Sequence, residues 1–294
     1  MAETGKPSDR ILFTALSISV LAISSAATLI RLADAPALVV ASSRMIIASI
    51  LLWAAAPWTK AHVTTGFRWK SIIGGAVFLA LHFGFWITSL NTTSVASSLV
   101  LVTMNPIFVA IGSTLVLKDP PSRPLIIGTL ISLVGCSVLV VGEGFALAGS
   151  LKGNFLALGG AFAMSCYMMV GRHAAPRSNL FGYITWLNTI AGVLLLGAAI
   201  ISGQPLTGYP WKSILFMILI AVIPQVVGHS LINWSLKYLH ASYLAAAILV
   251  EPLAGTLIAY IVLRETFSIF SLLGGVLILL GVGLAFRRRS YAGS

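Results

Sequence analysis

The sequence predicts an all-α integral membrane protein with ten transmembrane helices, and three observations support this fold class. First, 58% of the 294 residues are hydrophobic and only 9% are charged, whereas a soluble domain carries about a quarter charged residues. Second, the apolar stretches are about 20 residues long, enough for a helix to cross a hydrocarbon core of about 30 Å, and they lack the alternation of barrel strands. Third, the two halves of the chain resemble each other, which indicates an internal repeat.

Ten apolar stretches follow a short polar tail. The first has no small-residue cleavage site, so we interpret it as a retained helix rather than a signal peptide. Turn and breaker residues separate the stretches, namely Pro36, Pro57, Asn91–Thr93, Pro120-Pro121, Gly142–Gly144, Pro176, Pro205 to Pro210 and His240. We therefore predict helices over residues 11–31, 36–57, 71–90, 95–117, 124–142, 154–171, 181–201, 212–236, 242–263 and 268–286.

The distribution of positive charge predicts the topology. The chain carries 18 Lys and Arg residues and a formal net charge of +11. With the N-terminus in the cytoplasm, thirteen of these residues fall on cytoplasmic segments, Arg44 lies within a helix, and four lie outside, namely Arg31, Lys152, Lys212 and Arg264. Cytoplasmic loops of membrane proteins are enriched in Lys and Arg in this way. The charge therefore indicates that both termini are cytoplasmic, and it does not indicate a nucleic-acid partner.

The internal repeat covers most of the chain. At a shift of 146 residues, Leu90, Pro106, Gly128 and Gly135 recur as Leu236, Pro252, Gly274 and Gly281. The start of each half matches at a shift of 142, so four extra residues, about one helical turn, fall within the eighth helix. Each copy has five helices, an odd number, so the second copy must enter the membrane from the opposite side. We predict two inverted repeats, residues 1–148 and 149–294.

Two helices carry a polar residue followed by proline at membrane depth, Asn105-Pro106 and Glu251-Pro252. Each proline removes a backbone hydrogen bond, kinks its helix and frees the carbonyl four residues earlier. A polar residue inside a membrane span costs free energy unless it meets a partner or a wet cavity. We interpret Glu251 and Asn105 as cavity-lining residues. The alternative is that the prolines only shape the bundle and Glu251 bonds a neighbouring helix.

Further candidates for a binding surface lie on the third, seventh and eighth helices. His82, Phe83 and Trp86 lie within one turn of the third helix and share a face. A polar stripe with a spacing of four residues on the eighth helix would be penalised by lipid and therefore predicts an inward face; it consists of Gln225, His229 and Asn233. Trp186 and Asn188 are weaker candidates. Satisfied packing residues are the alternative for each histidine.

Arg44 is the one basic residue deep in a predicted span. It would either attract a carboxylate, such as that of Glu251, or extend its side chain to the cytoplasmic interface. We favour the second interpretation. The two cysteines, Cys136 and Cys166, lie in apolar stretches and are expected to be packing residues without a disulfide.

Motifs for catalysis or nucleotide binding are absent from the sequence. There is no Gly-x-Ser-x-Gly elbow, no His-Glu-x-x-His and no nucleotide-binding glycine loop. We therefore expect a protein that is not an enzyme, has no cofactor or metal, and does not hydrolyse ATP.

The ten-helix pattern, the Asn105-Pro106 and Glu251-Pro252 positions, the Arg264-Glu265 helix end and the glycine-spaced last helix of each half resemble the EamA-type family of the drug/metabolite transporter superfamily. The resemblance covers about residues 10 to 287. It implies a central cavity lined mainly by the first four helices of each half, and export of small metabolites, commonly amino acids. Where the family has its Glu-Pro position this chain has Glu251-Pro252, but the first half has Asn105, so a paired carboxylate for proton coupling is incomplete.

From these observations we expect a secondary transporter in the bacterial inner membrane that exports amino acids with apolar or aromatic side chains by alternating access. Its partners would be a small-molecule substrate and the lipid bilayer; nothing in the sequence implies a partner protein, and a monomer is the simplest expectation. Two alternatives remain: efflux of cationic or lipophilic drugs with Glu251 as counter-ion, and a membrane scaffold subunit that transports nothing.

Overall fold

All ten predicted spans are helical in the computed structural model, which describes residues 7–59, 68–93, 95–141, 150–174, 179–264 and 268–287. Among these residues there is no strand. In the first half, span 1 is α1 (Asp9–Ser24) and α2 (Ala26–Ala33), span 2 is α3 (Ala37–Ala55) with a 3-10 turn (Ala56–Trp58), span 3 is α4 (Trp69–Leu90), span 4 is α5 (Val95–Val102) and α6 (Asn105–Leu115), and span 5 is α7 (Arg123–Val141).

The second half continues the pattern. Span 6 is α8 (Leu151–Ala174), span 7 is α9 (Leu180–Ile201), span 8 is α10 (Trp211–Ile220), a π-helical segment (Ala221–His229) and α11 (Ser230–Ser235), span 9 is α12 (Ala241–Ile248) and α13 (Glu251–Leu263), and span 10 is α14 (Ile269–Phe286). The prediction of ten membrane-length helices is confirmed. The predicted turns at Gly142–Gly144 and at Pro176, and Glu265, lie outside the described residues.

Spans 4 and 9 are each broken into two shorter helices by a proline. α5 ends at Val102 and α6 begins at Asn105, while α12 ends at Ile248 and α13 begins at Glu251. The breaks follow from backbone chemistry, because Pro106 and Pro252 have no N–H for the carbonyl four residues earlier. Each break places one polar residue at the start of a new helix deep within the protein.

Span 8 changes its winding where the two halves of the sequence differ in length. The π-helical segment, Ala221–His229, lies in the part of the span that contains the four extra residues. Its hydrogen bonds join residues five apart rather than four, so each turn accommodates more residues than an α-helix does. Gln225, His229 and Asn233 are all buried, so the polar stripe stays on the inner side of the bundle.

The buried core is unevenly distributed over the ten spans. The largest apolar cluster joins spans 1 to 4 with spans 6 to 9, whereas a smaller one joins spans 5, 9 and 10. Span 5 packs along the whole length of span 10, span 2 packs against span 7, and span 3 packs against span 6. Spans 5 and 10 therefore flank the bundle, and its centre lies among the other eight.

Candidate functional site

A cavity at the centre of the bundle collects polar residues from several spans. Its wall is drawn from spans 1 to 4, 6, 8 and 9 and consists of Ile23, Ala26, Arg44, His82, Phe83, Trp86, Val102, Thr103, Asn105, Met164, His229, Ile248 and Glu251. Both proline breaks open onto it, since Val102 and Asn105 flank one break and Ile248 and Glu251 flank the other. The cavity thus lies where two broken helices meet.

Arg44 lies in this cavity, and the prediction that it reaches the cytoplasmic interface is wrong. Its side chain is only 1% exposed. Nε donates a 2.8 Å hydrogen bond to Oε1 of Gln225, and the guanidinium carbon lies 3.8 Å above the centre of the Phe83 ring. Arg44 is the eighth residue of the 19-residue α3, so the interface is distant, whereas an acceptor and an aromatic face are close.

Gln225 and Asn188 hold the guanidinium in place. Nε2 of Gln225 donates to Oδ1 of Asn188 at 2.9 Å, and Nδ2 of Asn188 donates to the carbonyl of Ile184 at 2.8 Å. This chain links spans 2, 8 and 7 and fixes the orientation of both amides, because Gln225 can accept from Arg44 only through its oxygen. A buried network with each member bonded to the next orients its cation.

His82 is oriented by a backbone carbonyl. Its Nδ1 lies 2.9 Å from the carbonyl oxygen of Gly160, and a carbonyl can only accept, so Nδ1 carries a proton and donates. The ring stacks on Trp86, with centroids 5.9 Å apart and planes 11° apart. The Phe83 ring meets the ring of His229 edge to face at 5.3 Å. Residues from spans 3 and 8 therefore form one aromatic wall.

Glu251 supplies the negative charge. It is the first residue of α13, where the helix dipole favours a carboxylate. Arg44 lines the same cavity from another span, so a basic and an acidic side chain share one cavity. The corresponding residue of the first half, Asn105, is buried at the start of α6, and its backbone carbonyl accepts a 2.9 Å hydrogen bond from Oγ of Ser165.

Three nitrogens on the cavity-lining residues are buried and, within the described part of the chain, have no hydrogen-bond partner. They are Nη1 of Arg44, Nε1 of Trp86 and Nδ1 of His229. Buried polar groups are nearly always paired, and leaving one unpaired costs about 1–3 kcal/mol. The cavity therefore offers hydrogen-bonding capacity that the protein itself leaves unused.

Six of the nine predicted site residues line the cavity: His82, Phe83, Trp86, Asn105, His229 and Glu251. Gln225 lies behind Arg44. Asn233 is also set back from the wall, since its Nδ2 donates to the Tyr167 hydroxyl at 2.6 Å. Trp186 lies elsewhere, packed edge to face between Trp53 and Trp69 at 5.2 Å from each.

Some lining residues carried little or no signal in the sequence. Ile23, Ala26 and Met164 are apolar residues in apolar helices, so nothing distinguished them from lipid-facing positions. Thr103 lies at the proline break of span 4, and its hydroxyl donates to the carbonyl of Val100 at 2.9 Å. Its position three residues before Pro106 was the only available signal.

The cavity has a free volume of about 40 Å³ in this conformation. Pockets that hold small molecules span about 300–1,000 Å³. The spans must therefore move apart before a molecule as large as an amino acid enters.

Contacts join the two halves of the chain at one end of the bundle. Nδ1 of His240, at the start of α12, is bonded to Oδ2 of Asp119, which follows span 4. Nearby, Oγ of Ser242 donates to Oγ of Ser113 at 3.3 Å. These contacts lie at the end of the bundle for which the distribution of Lys and Arg predicts a cytoplasmic location.

Comparison with known proteins places these features in a family. The model of the EamA-like transporter family matches residues 10–141 and 151–287. The uncharacterized transporter YdfC of Bacillus subtilis is 26% identical over 216 residues, which cover 70% of this chain and 69% of YdfC. An uncharacterized transporter of Archaeoglobus fulgidus is 26% identical over 224 residues, which cover 74% of this chain and 77% of that protein.

A solved crystal structure shares the fold. It superposes with a TM-score of 0.81 over 95% of this chain and 97% of that chain, at 17% sequence identity. Ten membrane-length helices and transporter relatives from bacteria together show a multi-pass protein of the plasma membrane.

Proposed function

The chain belongs to the EamA-like transporter family, and from this premise we propose that it is a secondary transporter that exports amino acids with apolar or aromatic side chains. The observation that carries the proposal is that a basic and an acidic side chain, Arg44 and Glu251, line one cavity together with aromatic and aliphatic residues. An amino acid has the same combination: a carboxylate, an ammonium group and a side chain.

The unused donors of the cavity match a carboxylate. Nη1 of Arg44, Nε1 of Trp86 and Nδ1 of His229 can each donate a hydrogen bond, and Arg44 adds a full positive charge. Charge-assisted hydrogen bonds of this kind are about twice as strong as neutral ones. A substrate carboxylate would therefore bind on the Arg44 side of the cavity.

The ammonium group would bind to Glu251 on the other side. At the proline break that precedes Glu251, the carbonyl of Ile248 loses its helical partner and offers a second acceptor. The side chain of the substrate would contact Phe83, Trp86 and Met164, which bury apolar surface at about 25 cal/mol per Å². These contacts favour apolar and aromatic amino acids over charged ones.

We further propose that the two halves, residues 1–148 and 149–294, are inverted repeats that alternate around this cavity. The packing supports this arrangement: span 3 packs on span 6 and span 1 on span 8, while span 4 packs on span 6 and span 1 on span 9. When the two halves are exchanged, the contact of span 3 with span 6 becomes the contact of span 8 with span 1. In the same way, the contact of span 4 with span 6 becomes the contact of span 9 with span 1. An interface with such symmetry can open at either end by the same motion.

A series of substrate analogues tests the assignment of charges. Transport of labelled phenylalanine into proteoliposomes is measured in competition with phenylalanine, with phenethylamine, which lacks the carboxylate, and with phenylpropionate, which lacks the amine. We expect only the zwitterion to compete well, with at least about a tenfold loss for each analogue, because each leaves one buried charge unpaired. Competition by phenethylamine alone would instead indicate a transporter of organic cations that uses Glu251 and not Arg44.

A further inference from the structure

A second cavity lies at the end of the bundle opposite to the Asp119–His240 contact. It has a volume of about 420 Å³, within the range of pockets that hold small molecules. Its polar lining consists of Arg31, Asp34 and Asn91, and Ile30, Ile87 and Leu90 form part of its apolar wall. These residues belong to the ends of spans 1 and 3 and to the turns that follow them.

The second cavity continues the wall of the central one. On α2, Ala26 lines the central cavity, whereas Ala27 and Ile30 line the outer one. On α4, Trp86 lines the central cavity, whereas Ile87 and Leu90 line the outer one. With a rise of about 1.5 Å per residue, Trp86 and Leu90 are only about 6 Å apart along the helix. The two cavities therefore lie one above the other between spans 1 and 3.

The outer cavity carries the same two types of charge as the central one. Arg31 lies in the last turn of α2, and Asp34 follows at its C-terminal cap. Both side chains are exposed at the mouth of the cavity, whereas Arg44 in the centre is buried. The outer cavity thus combines a positive and a negative side chain, three residues apart, with an apolar wall. The same class of molecule, with a carboxylate, an ammonium group and an apolar side chain, matches both cavities.

We propose that the outer cavity is a second binding site for the transported zwitterion. The zwitterion would occupy this site after it leaves the central cavity and before it reaches the medium. The proposal rests on the function proposed above. The opposite end is joined across the two halves by Asp119–His240 and Ser113–Ser242, so the continuous wall of spans 1 and 3 is the route out of the centre. The distribution of Lys and Arg assigns this mouth to the outer face of the membrane, which makes it the release side of an exporter.

A binding measurement in a variant without the central site tests the proposal. Equilibrium dialysis of a labelled amino acid, one that the wild type transports, is carried out on protein in nanodiscs with Glu251→Gln. We expect saturable binding to persist in this variant, at one molecule per chain. Adding Arg31→Gln or Asp34→Asn should then weaken the residual binding at least fivefold. Asparagine suits position 34, because the backbone there is left-handed, with φ of 45°, a conformation that asparagine tolerates.

Lys212→Gln is the matched control. Lys212 lies at the start of α10, which packs against α2 at the same end of the bundle, but it does not line the outer cavity. Residual binding should survive this substitution unchanged. Loss of all binding on Glu251→Gln alone, or equal weakening by Lys212→Gln, would overturn the outer site.

The lipid is varied because a phosphatidylethanolamine headgroup also carries an anionic and an ammonium group. Nanodiscs are prepared with phosphatidylglycerol alone and with added phosphatidylethanolamine. Equal residual binding in both supports the free amino acid as the ligand, whereas binding that appears only without phosphatidylethanolamine would identify the headgroup as the occupant. If the wild type transports amino acids but Arg31→Gln changes nothing, the outer site fails alone; if the wild type neither binds nor transports them, the proposed function fails as well.

Discussion

Gly128 of α7 lies directly against Gly281 of α14, and the equivalent contact, with the halves exchanged, joins Gly274 to Gly135. A Cβ atom at Gly135 would lie 2.7 Å from the carbonyl oxygen of Gly274, and one at Gly274 would lie 2.6 Å from that of Gly135. Gly128 precedes Gly135 along α7, whereas the partner of Gly128, Gly281, follows the partner of Gly135, Gly274, along α14. The two helices therefore run antiparallel. Small residues permit this close approach.

Adding a methyl group at this contact should destabilise the protein. With Gly281→Ala, the new Cβ would meet the backbone nitrogen of Ser132 at 2.6 Å, so α7 and α14 must move apart. We expect a cost of about 1–3 kcal/mol, measured as a lower midpoint of thermal unfolding in detergent. Gly283→Ala is the control, since a Cβ at Gly283 has nothing described within 4 Å. Equal midpoints for the two variants would show that the contact is looser than described.

Gln225→Leu should impair transport because it removes the residue that positions Arg44. The substitution removes the acceptor of the 2.8 Å bond from Nε and leaves a buried donor unpaired, which costs about 1–3 kcal/mol. We expect the half-saturating concentration of the amino acid to rise about tenfold, as measured by initial rates in proteoliposomes. Ser137→Ala, at an exposed hydroxyl that bonds only its own helix, serves as the control. An unchanged half-saturating concentration would contradict a role for Gln225 in positioning the guanidinium.

Trp86 has two separable properties, an apolar ring and an unpaired N–H. Trp86→Phe keeps an aromatic ring against His82 but removes Nε1, so it should weaken transport of every amino acid by a similar factor, about three- to tenfold. Trp86→Ala should additionally reduce the preference for phenylalanine over alanine, because the apolar wall is lost. Competition assays with both amino acids separate the two effects. An unaltered preference in Trp86→Ala would remove this residue from the side-chain pocket.

The Asp119–His240 contact should keep its end of the bundle closed. Asp119→Asn weakens the bond that joins the segment after span 4 to the start of α12. In a background with Cys136 and Cys166 replaced by serine, Leu125→Cys provides a buried reporter, since Leu125 lines the same small cavity as Asp119 and His240. We expect a membrane-impermeant maleimide to label it several times faster with Asp119→Asn, and no faster with Asp34→Asn at the opposite end. Unchanged labelling would mean that other contacts close this end.

The sequence carried enough information for the spans and for the breaks in spans 4 and 9, because apolar length and proline act locally. Glu251, His82 and His229 could be singled out because a polar group at membrane depth is costly in lipid. Arg44 was misassigned because its depth alone permits two directions, and the acceptor that decides between them, Gln225, lies 181 residues away in the chain. The position of Trp186 could not be predicted for a similar reason, since an aromatic residue packs equally well at a cavity wall or between Trp53 and Trp69. The π-helical winding of span 8 has no local signal beyond the four extra residues.

Counterflow in proteoliposomes tests the central claim most directly. Vesicles loaded with unlabelled phenylalanine are diluted into a trace of labelled phenylalanine. Uptake by vesicles with the wild type is compared with uptake by vesicles with Glu251→Gln and by vesicles without protein. We predict a transient accumulation of label in the wild type, at least about tenfold weaker in Glu251→Gln because the ammonium group loses its charged partner. Accumulation of equal size in both proteins would remove Glu251 from the binding site. No accumulation of any apolar or aromatic amino acid by folded wild-type protein would contradict the proposed function.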